Sequence, residues 1–358
     1  MTCTDERRKS SDRRSGDRRG ADGRGADRRR DFQTAAAWRG PERRVFERRK
    51  SERRTIERRS AILPEGLHLL DLPQSREGFR HLISAWFFVD SLGRRVVVDP
   101  GPPSTIPLLS DQLSSIANGV DLVLLTHVHL DHSGGVGQFC ERYKGAKVMV
   151  HPKGRKHLTH PEKLWQASLA TLGDIAEMYG APLPLAPESL LDWDGLQGVT
   201  VLETPGHAPH HISFLVPFKG ERLLFVGEAA GTVLPLAASP TLPYMHPASL
   251  PKFDYTKAQD SLHKIEELLQ GDELLCYSHW GAARRARNRI ALAKGQLGDW
   301  LSVVSEMRSQ PEDAIVDHLL SRDSLLKGYS DLPEDLRERE RFFIKSSVEG
   351  LLEYVREA

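Results

Sequence analysis

The residues most suited to chemistry lie in one segment, which reads T-H-V-H-L-D-H-S-G-G over residues 126–135 and follows an apolar run of strand length. In an extended backbone, side chains two residues apart point the same way, so His127, His129 and Asp131 are expected to converge on one volume. The glycines that follow favour a turn, which brings His132 towards the same volume. Three imidazoles and one carboxylate form a ligand set suited to zinc, iron or manganese.

Further candidate ligands follow at three points where a predicted strand gives way to a loop. His207 ends the element Thr-Pro-Gly-His, Glu228 follows a glycine, and His279 precedes Trp-Gly. Loops held by a rigid scaffold are the usual place for functional side chains. Several other histidines have no such support and are expected to be peripheral: His151, His157, His160, His210 and His246.

The elements that must position these residues begin near residue 61, where short apolar runs separated by turn residues replace a charged tail. Strands are predicted over residues 67–70, 82–89, 95–98, 122–125, 148–150, 199–203, 211–216, 223–226 and 273–277. Helices are predicted over residues 105–117, 161–179, 254–269, 283–307, 312–321 and 334–356. In the last three helices, apolar residues recur at helical spacing and are expected to serve packing.

These motifs resemble those of the metallo-β-lactamase superfamily, whose members include zinc β-lactamases, glyoxalase II-type thioesterases, lactonases, phosphodiesterases and nucleases. The resemblance covers about residues 65–283. It rests on the HxHxDH run that begins at His127, on the Thr-Pro-Gly-His element, on the Gly-acid pair that ends at Glu228 and on the late histidine, His279. Together these motifs are specific for the fold and only weakly specific for the substrate.

The resemblance implies an α/β (α+β) fold, namely a four-layer αββα metallo-β-lactamase sandwich. We expect residues 61–283 to form this catalytic domain, residues 284–358 to form a helical C-terminal extension, and residues 1–60 to form a tail. The C-terminal helices either shape the pocket or mediate formation of a homodimer, and their pattern does not choose between these roles.

The resemblance also implies a site for two adjacent divalent metal ions, with zinc as the first expectation and iron or manganese as alternatives. Carried over by position, the ligands divide into two triads and a bridging acid: His127, His129 and His207; Asp131, His132 and His279; and Glu228.

The bridging acid departs from the family pattern, because the family normally has Asp where this chain has Glu228. Glu is one methylene longer. It therefore widens the usual metal separation of about 3.5 to 4 Å, binds one metal only, or favours iron or manganese over zinc.

Two cations at this spacing predict a hydrolytic mechanism. A bridging water would have its pKa lowered towards about 7, which provides hydroxide at neutral pH. That hydroxide would attack an acyl carbon or phosphorus, and Asp131 would orient it or shuttle its proton. The chain has no GxSxG element and no Walker-type glycine loop. The leading prediction is a metal-dependent hydrolase acting on a small ester, thioester or lactone, with an anionic group as a further option.

Four other residues are candidates for supporting a ligand or contacting the substrate. His211 lies four residues after a predicted ligand, and Tyr244 lies in a proline-rich segment, 235–251, that is placed in sequence to cover the site. Arg284 and Arg285 begin a predicted helix, where the helix dipole disfavours positive charge. An anionic substrate group would explain those arginines, but a solvated helix face is the favoured explanation.

The N-terminal tail differs sharply in charge from the rest of the chain. Residues 1–60 hold 21 Lys/Arg and 11 Asp/Glu, a net charge of +10, and the remaining residues have a net charge of −9. An acid followed by two arginines recurs in the tail, often at an interval of five residues, which matches neither helix nor strand periodicity. We predict that the tail is disordered. It is suited to contact nucleic acid or an acidic surface, although its interleaved acids favour a solvated linker.

Composition predicts a cytoplasmic protein without a transmembrane segment, since no apolar stretch approaches the roughly 18 residues that a membrane helix needs. The three cysteines form no CxxC pair and are far apart in sequence. Neither a disulfide framework nor a thiolate metal site is therefore expected.

Two rival functions use the same fold. A phosphodiesterase or nuclease is favoured by the arginine-rich tail, but the net charge of −9 on the rest of the chain would repel a long polyanion. A di-iron redox or oxygen-binding protein is favoured by Glu228. Relatives of that kind carry an acid at the second position of the motif, where this chain has His129.

Overall fold

The structure is a computed structural model. It describes residues 63–192, 194, 196–234, 243–271 and 273–357, which all belong to the compact unit Arg59–Ala358. The predicted disordered tail lies outside the described residues, and so do residues 235–242 of the proline-rich segment.

The first sheet has five strands in the order β1-β2-β3-β4-β5. They are β1 (His68–Asp71), β2 (Ser84–Val89), β3 (Arg95–Val98), β4 (Leu122–Leu124) and β5 (Lys147–Met149). The pairs β1–β2 and β2–β3 are antiparallel, whereas β3, β4 and β5 run parallel. Because the carboxyl ends of parallel strands meet at one edge, the loops that follow β3 and β4 lie side by side.

The remaining strands form a second five-stranded sheet, in the order β12-β11-β8-β7-β6, and a two-stranded ribbon of β9 and β10. They are β6 (Thr200–Glu203), β7 (Ile212–Phe218), β8 (Glu221–Gly227), β9 (Thr232–Val233), β10 (Met245–His246), β11 (Leu274–Tyr277) and β12 (Gly281–Ala283). Strands β8 and β11 are parallel, with Gly227 opposite Tyr277, so the residues that follow these two strands also meet at one edge.

The two sheets pack face to face through alternate side chains of their strands. Trp86 and Phe88 of β2 share a buried cluster with Phe214 of β7 and Phe225 of β8. The rings of Phe88 and Phe225 stack with their centroids 5.3 Å apart. This apolar layer is the centre of a sandwich, because successive side chains of a strand point to opposite faces.

Helices cover the outer faces of both sheets. Ten α-helices occur in the described residues: α1 (Ile106–Ser114), α2 (Leu130–Ser133), α3 (Val136–Arg142), α4 (Arg155–Thr159), α5 (Glu162–Leu172), α6 (Asp174–Tyr179), α7 (Tyr255–Leu268), α8 (Ala286–Glu306), α9 (Glu312–Arg322) and α10 (Glu334–Glu357). Side chains of the first sheet join one buried cluster with α1, α3 and α6, and side chains of the second sheet join another with α7 to α10. The predicted αββα architecture with a helical C-terminus is confirmed.

Several details differ from the sequence-based prediction. The helix expected over 161–179 is two helices, since Gly173 adopts a φ of 51° and interrupts it. Helices α2, α3 and α4 were not predicted, because four to seven residues are too few to show a helical period. Strands β9, β10 and β12 were also missed, each being two or three residues long.

The C-terminal helices share their core with the second sheet. Trp300 of α8 and Leu351 of α10 belong to the same buried cluster as Leu224 of β8 and Tyr277 of β11. The division into residues 61–283 and 284–358 stays a prediction about domains, and the apolar core is continuous across it. Among the described residues, none of the helices combines the length and apolar character required to span a bilayer.

Candidate metal centre

The seven predicted ligands come together where strand ends of the two sheets meet. They form two groups, and within each group one nitrogen or carboxylate oxygen per residue lies within 4.8 Å of the others. The groups are His127, His129, His207 and Glu228, and Asp131, His132 and His279. The two groups contain the two triads that the family resemblance implied, with Glu228 grouped with the first triad.

The Glu228 carboxylate lies between the two triads. Its Oε2 atom is 3.0 Å from Nε2 of His207, 3.2 Å from Nε2 of His127 and 3.4 Å from Nε2 of His132. Its Oε1 atom is 3.2 Å from Nε2 of His279. A single carboxylate therefore contacts imidazoles from both triads.

In the second triad, the Asp131 carboxylate lies near both imidazoles. Asp131 is the second residue of α2. Its Oδ2 atom is 3.3 Å from Nε2 of His132 and 3.8 Å from Nε2 of His279. In the first triad, Nε2 of His207 is 3.0 Å from Nδ1 of His129. The ligand atoms within each triad therefore lie so close together that no other side chain fits between them.

The inward-facing atoms fit a pair of divalent cations. Nε2 of His127 and Nε2 of His132 lie 3.2 and 3.4 Å from Oε2 of Glu228, yet neither makes a hydrogen bond of acceptable geometry, and both are buried. A buried polar atom left without a partner costs about 1 to 3 kcal/mol, so the arrangement is unfavourable unless something else satisfies these nitrogens. Imidazole nitrogens together with carboxylate oxygens are the ligands that zinc, iron and manganese accept.

The histidines of the centre have pKa values shifted in two directions. Burial lowers the pKa of His127 well below 6.5 and that of His129 to about 4, and neighbouring imidazoles contribute to both shifts. Burial acts in the same direction on His132, but the carboxylates of Asp131 and Glu228 outweigh it and raise its pKa well above 6.5. Only some of the imidazoles are therefore protonated to balance the negative charges of the two carboxylates.

Both acids of the centre stay ionised. Burial would raise the pKa of Glu228, but His207 and His279 hold it well below 4.5. Burial likewise opposes ionisation of Asp131, and His132 together with His279 lowers its pKa to about 2. Ionised carboxylates are the form that ligates metal.

Asp99 supports the first triad and was missed by the sequence analysis. It follows β3, is 1% exposed and has a φ of 49°. Its carboxylate accepts hydrogen bonds from the backbone N–H of Thr126 at 2.8 Å, from Thr126 Oγ1 at 2.7 Å and from Ser278 Oγ at 2.6 Å. An acid directly after an apolar strand, followed by Pro-Gly, was the available signal.

The Asp99 contacts also determine which nitrogen of His127 carries a proton. Thr126 Oγ1 lies 3.0 Å from Nδ1 of His127 and donates its own proton to Asp99. It therefore accepts from Nδ1–H of His127. The remaining nitrogen, Nε2, is left with a lone pair that points into the centre.

His211 fixes the position of the Glu228 backbone. Its Nε2 accepts a hydrogen bond of 3.0 Å from the backbone N–H of Glu228, and its Nδ1 is 2.8 Å from Thr204 Oγ1. Gly227 makes this contact possible, because it has a φ of 60° and a Cβ there would lie 2.3 Å from Nε2 of His211. The contact supports the first of the two roles suggested for His211, namely holding a ligand in place.

Comparison with known proteins shows the family of this chain. The family model described as the metallo-beta-lactamase superfamily matches residues 80–279, which is more than half of the chain. The chain belongs to this superfamily. Its members are mostly metallohydrolases, and the described part of this chain contains two groups of candidate metal ligands.

Curated relatives match parts of the chain. A metallo-beta-lactamase fold-containing protein from Sulfurisphaera tokodaii is 32% identical over 184 residues, which cover 48% of this chain and 64% of that protein. A hydroxyacylglutathione hydrolase from Stenotrophomonas maltophilia is 30% identical over 149 residues, which cover 40% of this chain and 46% of that enzyme. The matched segments thus span less than two thirds of either relative.

Solved structures share the fold over most of the chain. An archaeal metallo-beta-lactamase superfamily protein from Sulfolobus tokodaii has a TM-score of 0.55 at 22% identity, covering 83% of this chain and 100% of that protein. A metallo-beta-lactamase family protein from Thermus thermophilus has a TM-score of 0.53 at 23% identity, covering 83% and 94%. At these identities the likeness concerns the fold.

In this superfamily member a cavity of about 660 Å³ opens onto the candidate metal centre. His129, Asp131, Glu228 and His279 line one wall. The opposite wall is mainly apolar and comes from α5, α6 and α10, through Leu164, Leu172, Ile175, Phe342 and Phe343. The cavity is large enough for a small-molecule substrate.

A buried polar cluster also lines the cavity. Nη2 of Arg339 is 2.7 Å from Oε1 of Glu340, and Nη1 donates to the carbonyl oxygens of Gly78 and Arg80 at 2.8 and 2.9 Å. Oε2 of Glu340 is 3.5 Å from Nε2 of His246. The expectation that His246 is peripheral is wrong, because the fold brings α10 against β10 over the cavity.

The other predicted substrate contacts lie away from the cavity lining. Tyr244 is 1% exposed and packs in the core of the second sheet. Arg284 follows β12 and pairs with Glu221 of β8, and Arg285 is the next residue along the chain. The cations that line the cavity are Lys252, Lys345 and Arg339 instead.

Proposed function

We propose that this protein is a binuclear metallohydrolase that cleaves an ester, thioester or lactone bond in a small molecule. One observation carries the proposal. The Glu228 carboxylate contacts both triads, within 3.0 to 3.4 Å of four imidazole nitrogens, and this position would suit a ligand shared by two cations. We propose zinc as the metal, with iron or manganese as alternatives because Glu228 is longer than the usual Asp.

The residues around the candidate metal centre have separate proposed roles in hydrolysis. When bound, two divalent cations supply Lewis-acid activation of a water molecule and of the scissile carbonyl group. Asp131 is 18% exposed and lines the cavity, so we propose that its carboxylate accepts a hydrogen bond from the attacking water and orients it. Thr126 Oγ1 donates to Asp99 and accepts from Nδ1–H of His127, which holds His127 in the tautomer that ligation needs.

A cysteine nucleophile receives no support from the described residues. Burial raises the pKa of the Cys140 thiol to about 12 and that of Cys276 well above 9, and neither residue lines the cavity. Because the thiolate is the reactive form, neither side chain is suited to attack a substrate.

The cavity suggests what the substrate carries. The apolar wall from α5, α6 and α10 is suited to an acyl group with substantial hydrocarbon character. Lys252 is exposed at the cavity and has no ion-pair partner among the described side chains, so it is suited to an anionic group. Lys345 already pairs with Asp313 at 3.2 Å. The presence of hydroxyacylglutathione hydrolases among the relatives supports a thioester as the first substrate to test.

The first experiment is elemental analysis of the purified protein, with hydrolysis of ester, thioester and phosphodiester substrates measured on the same samples. We expect two metal ions per chain and turnover of an acyl substrate. Glu228→Ala should lose at least one metal ion and most turnover, whereas Glu228→Asp should keep both and change the metal preference.

Three outcomes would contradict the proposal. Two irons with a visible absorption band and no hydrolysis would favour a redox protein. Turnover by metal-free protein would remove the metals from the mechanism. Unchanged metal content and rate in Glu228→Ala would remove that residue from the site. The cytoplasmic location, a homodimer, and contact of the tail with nucleic acid or an acidic surface remain predictions from the sequence.

A further inference from the structure

A row of three imidazoles leads from the protein surface to the candidate metal centre. The ring of His157 on α4 is 6.3 Å from the ring of His210, which is 6.0 Å from the ring of His129, measured between centroids. His210 also lies parallel to His127, at 6.5 Å with an interplanar angle of 11°. His157 and His210 are both half-buried, so the row connects solvent with the first triad.

This row is separate from the substrate cavity. His157 and His210 do not line the cavity, and the first triad reaches the cavity lining through His129. Beside the row lie His151 and the exposed side chain of Glu203, with Nε2 and Oε1 3.8 Å apart. An exposed carboxylate beside His151 favours the approach of cations.

The distances between the rings of the row suit transient binding of a passing cation. They are too long for the rings to hold one cation together. Neighbouring imidazoles within the metal centre have centroids 4.6 to 4.9 Å apart, whereas the steps of the row are 6.0 and 6.3 Å. The groups that could hold a cation among the described residues are the two at the centre. A cation at His210 would therefore be held by few protein ligands and would leave readily.

The hydrogen bonds of His210 differ from those of the supporting histidine beside it. His211 is fixed on both nitrogens, by contacts of 3.0 and 2.8 Å. His210 receives only a long contact of 3.4 Å, from the backbone N–H of Val128 to its Nδ1. A ring held this weakly is free to change tautomer and to offer a nitrogen to a passing ion.

We propose that His157 and His210 form a transient binding path for divalent transition-metal ions, such as zinc, iron or manganese, and that the path delivers them to His129. The inference rests on the proposed function in one respect, namely that the centre holds metal. It concerns how the metal enters and leaves, and it assigns the two histidines no part in hydrolysis.

The path makes a prediction that separates it from a structural role. A residue on the route, but outside the final ligand set, lowers the barrier to entry and to exit equally. Its replacement therefore slows uptake and release by the same factor and leaves the Kd for metal unchanged. A residue that only supports a ligand changes the Kd, typically by about 10- to 100-fold.

The test uses the metal-loaded full chain. Release is followed by mixing the protein with excess EDTA and measuring the metal that remains bound over time, and exchange is followed by adding zinc of a different isotopic composition. We expect His210→Gln to slow both processes about tenfold, equivalent to about 1.4 kcal/mol of barrier, with unchanged Kd, melting temperature and kcat/KM at full loading. His157→Gln should act in the same direction with a smaller effect.

A matched control is His263→Gln, since His263 lies on α7, is exposed and pairs with Glu267 away from the centre. It should exchange metal at the wild-type rate. Unchanged exchange in both His157→Gln and His210→Gln would overturn the path, and so would a change in Kd that accounts for the change in rate. Wild-type protein that binds no metal would instead refute the proposed function, so the two failures are distinguishable.

Discussion

The cavity has two walls that are built in different ways. The candidate ligands form the metal wall, and helices α5, α6 and α10 form the helical wall. On the metal wall, hydrogen bonds fix the candidate ligands: Nδ1 of His207 is 2.7 Å from the carbonyl oxygen of Ala248, the Asp99 network holds His127, and His211 holds the backbone of Glu228. On the opposite wall, apolar side chains of α5, α6 and α10 surround one buried ion pair, that of Arg339 with Glu340. Directional contacts thus position the chemistry, and packing shapes the space for the substrate.

This contrast predicts that changes to the metal wall act on metal binding and turnover, whereas changes to the helical wall act on stability and on substrate affinity. Directional bonds tolerate little displacement, because metal ligation requires defined positions. Apolar packing tolerates substitution of similar volume at a modest cost. The following variants test the contrast in order of decreasing effect.

The largest effect is expected for His129→Ala on the metal wall. It removes an inward-facing imidazole that lines the cavity, so kcat/KM should fall by at least about 10³-fold, as expected when metal catalysis is lost. The melting temperature should stay close to that of the wild type. His263→Ala, at an exposed site on α7, serves as the control. Full activity in His129→Ala would remove this residue from the ligand set.

A smaller effect is expected for Asp99→Asn, which acts on His127 through Thr126. The amide changes the hydrogen-bond pattern around Thr126 Oγ1 and weakens its hold on the ring. We expect metal affinity to fall about 10- to 100-fold, measured by competition with a chelator. Asp121→Asn is the control, because Asp121 pairs with Arg95 where β3 and β4 begin, whereas Asp99 and Thr126 lie beyond the ends of these strands. Equal affinities in the two variants would mean that Asp99 does not position His127.

On the helical wall, Glu340→Gln should reduce stability without changing metal content. Burial opposes ionisation of Glu340, but Arg339 and His246 lower its pKa to about 2, below the ordinary 4.5. A carboxyl with a depressed pKa stabilises the fold above about pH 4.5, and this stabilisation is lost as the pH falls through about 2. The variant, which leaves Arg339 buried without its counter-ion, should lose about 3 kcal/mol at pH 7.

Urea unfolding over a pH series measures this effect. The difference in unfolding free energy between wild type and Glu340→Gln should shrink as the pH is lowered from 4.5 towards 2. A difference that does not depend on pH would mean that the charge of Glu340 contributes nothing, and a loss of bound metal would mean that the two walls are not independent.

The smallest effect is expected for Lys252→Ala at the exposed side of the cavity. Removing an exposed cation should raise the KM of an anionic substrate about two- to fivefold and leave kcat unchanged, since such interactions are weak in solvent. A neutral substrate with the same acyl group should show no change. Lys144→Ala removes an exposed lysine that does not line the cavity and is the control. An equal effect on neutral and anionic substrates would exclude charge recognition by Lys252.

The sequence was sufficient to identify the candidate ligands because their signals are local. His127, His129 and Asp131 belong to one short run, and His207, Glu228 and His279 each follow an apolar strand. The helical wall has no such signal. Its polar cluster joins Gly78, His246 and Arg339, residues far apart in the chain whose neighbours carry no recognisable motif.

Missed elements and missed residues have related causes. Helix α2 is only four residues long, so no period could reveal it, yet it carries Asp131 and His132. Asp99 could have been noticed as an acid at a strand end, but its importance depends on the parallel pairing of β3 with β4, which places it beside Thr126. Many strand pairings are possible, and the sequence of neither strand alone shows that β3 pairs with β4.

The sequence by itself therefore determined the family, the layered architecture and the candidate ligands, because strand-end motifs and apolar periodicity are written in consecutive residues. The tertiary structure alone decided how those ligands meet. It placed the Glu228 carboxylate between the two triads, set Asp99 and His211 behind the ligands, and closed the cavity with α10. Each of these features is a contact between distant segments, and such contacts arise only when the two sheets pack and bring their strand ends together.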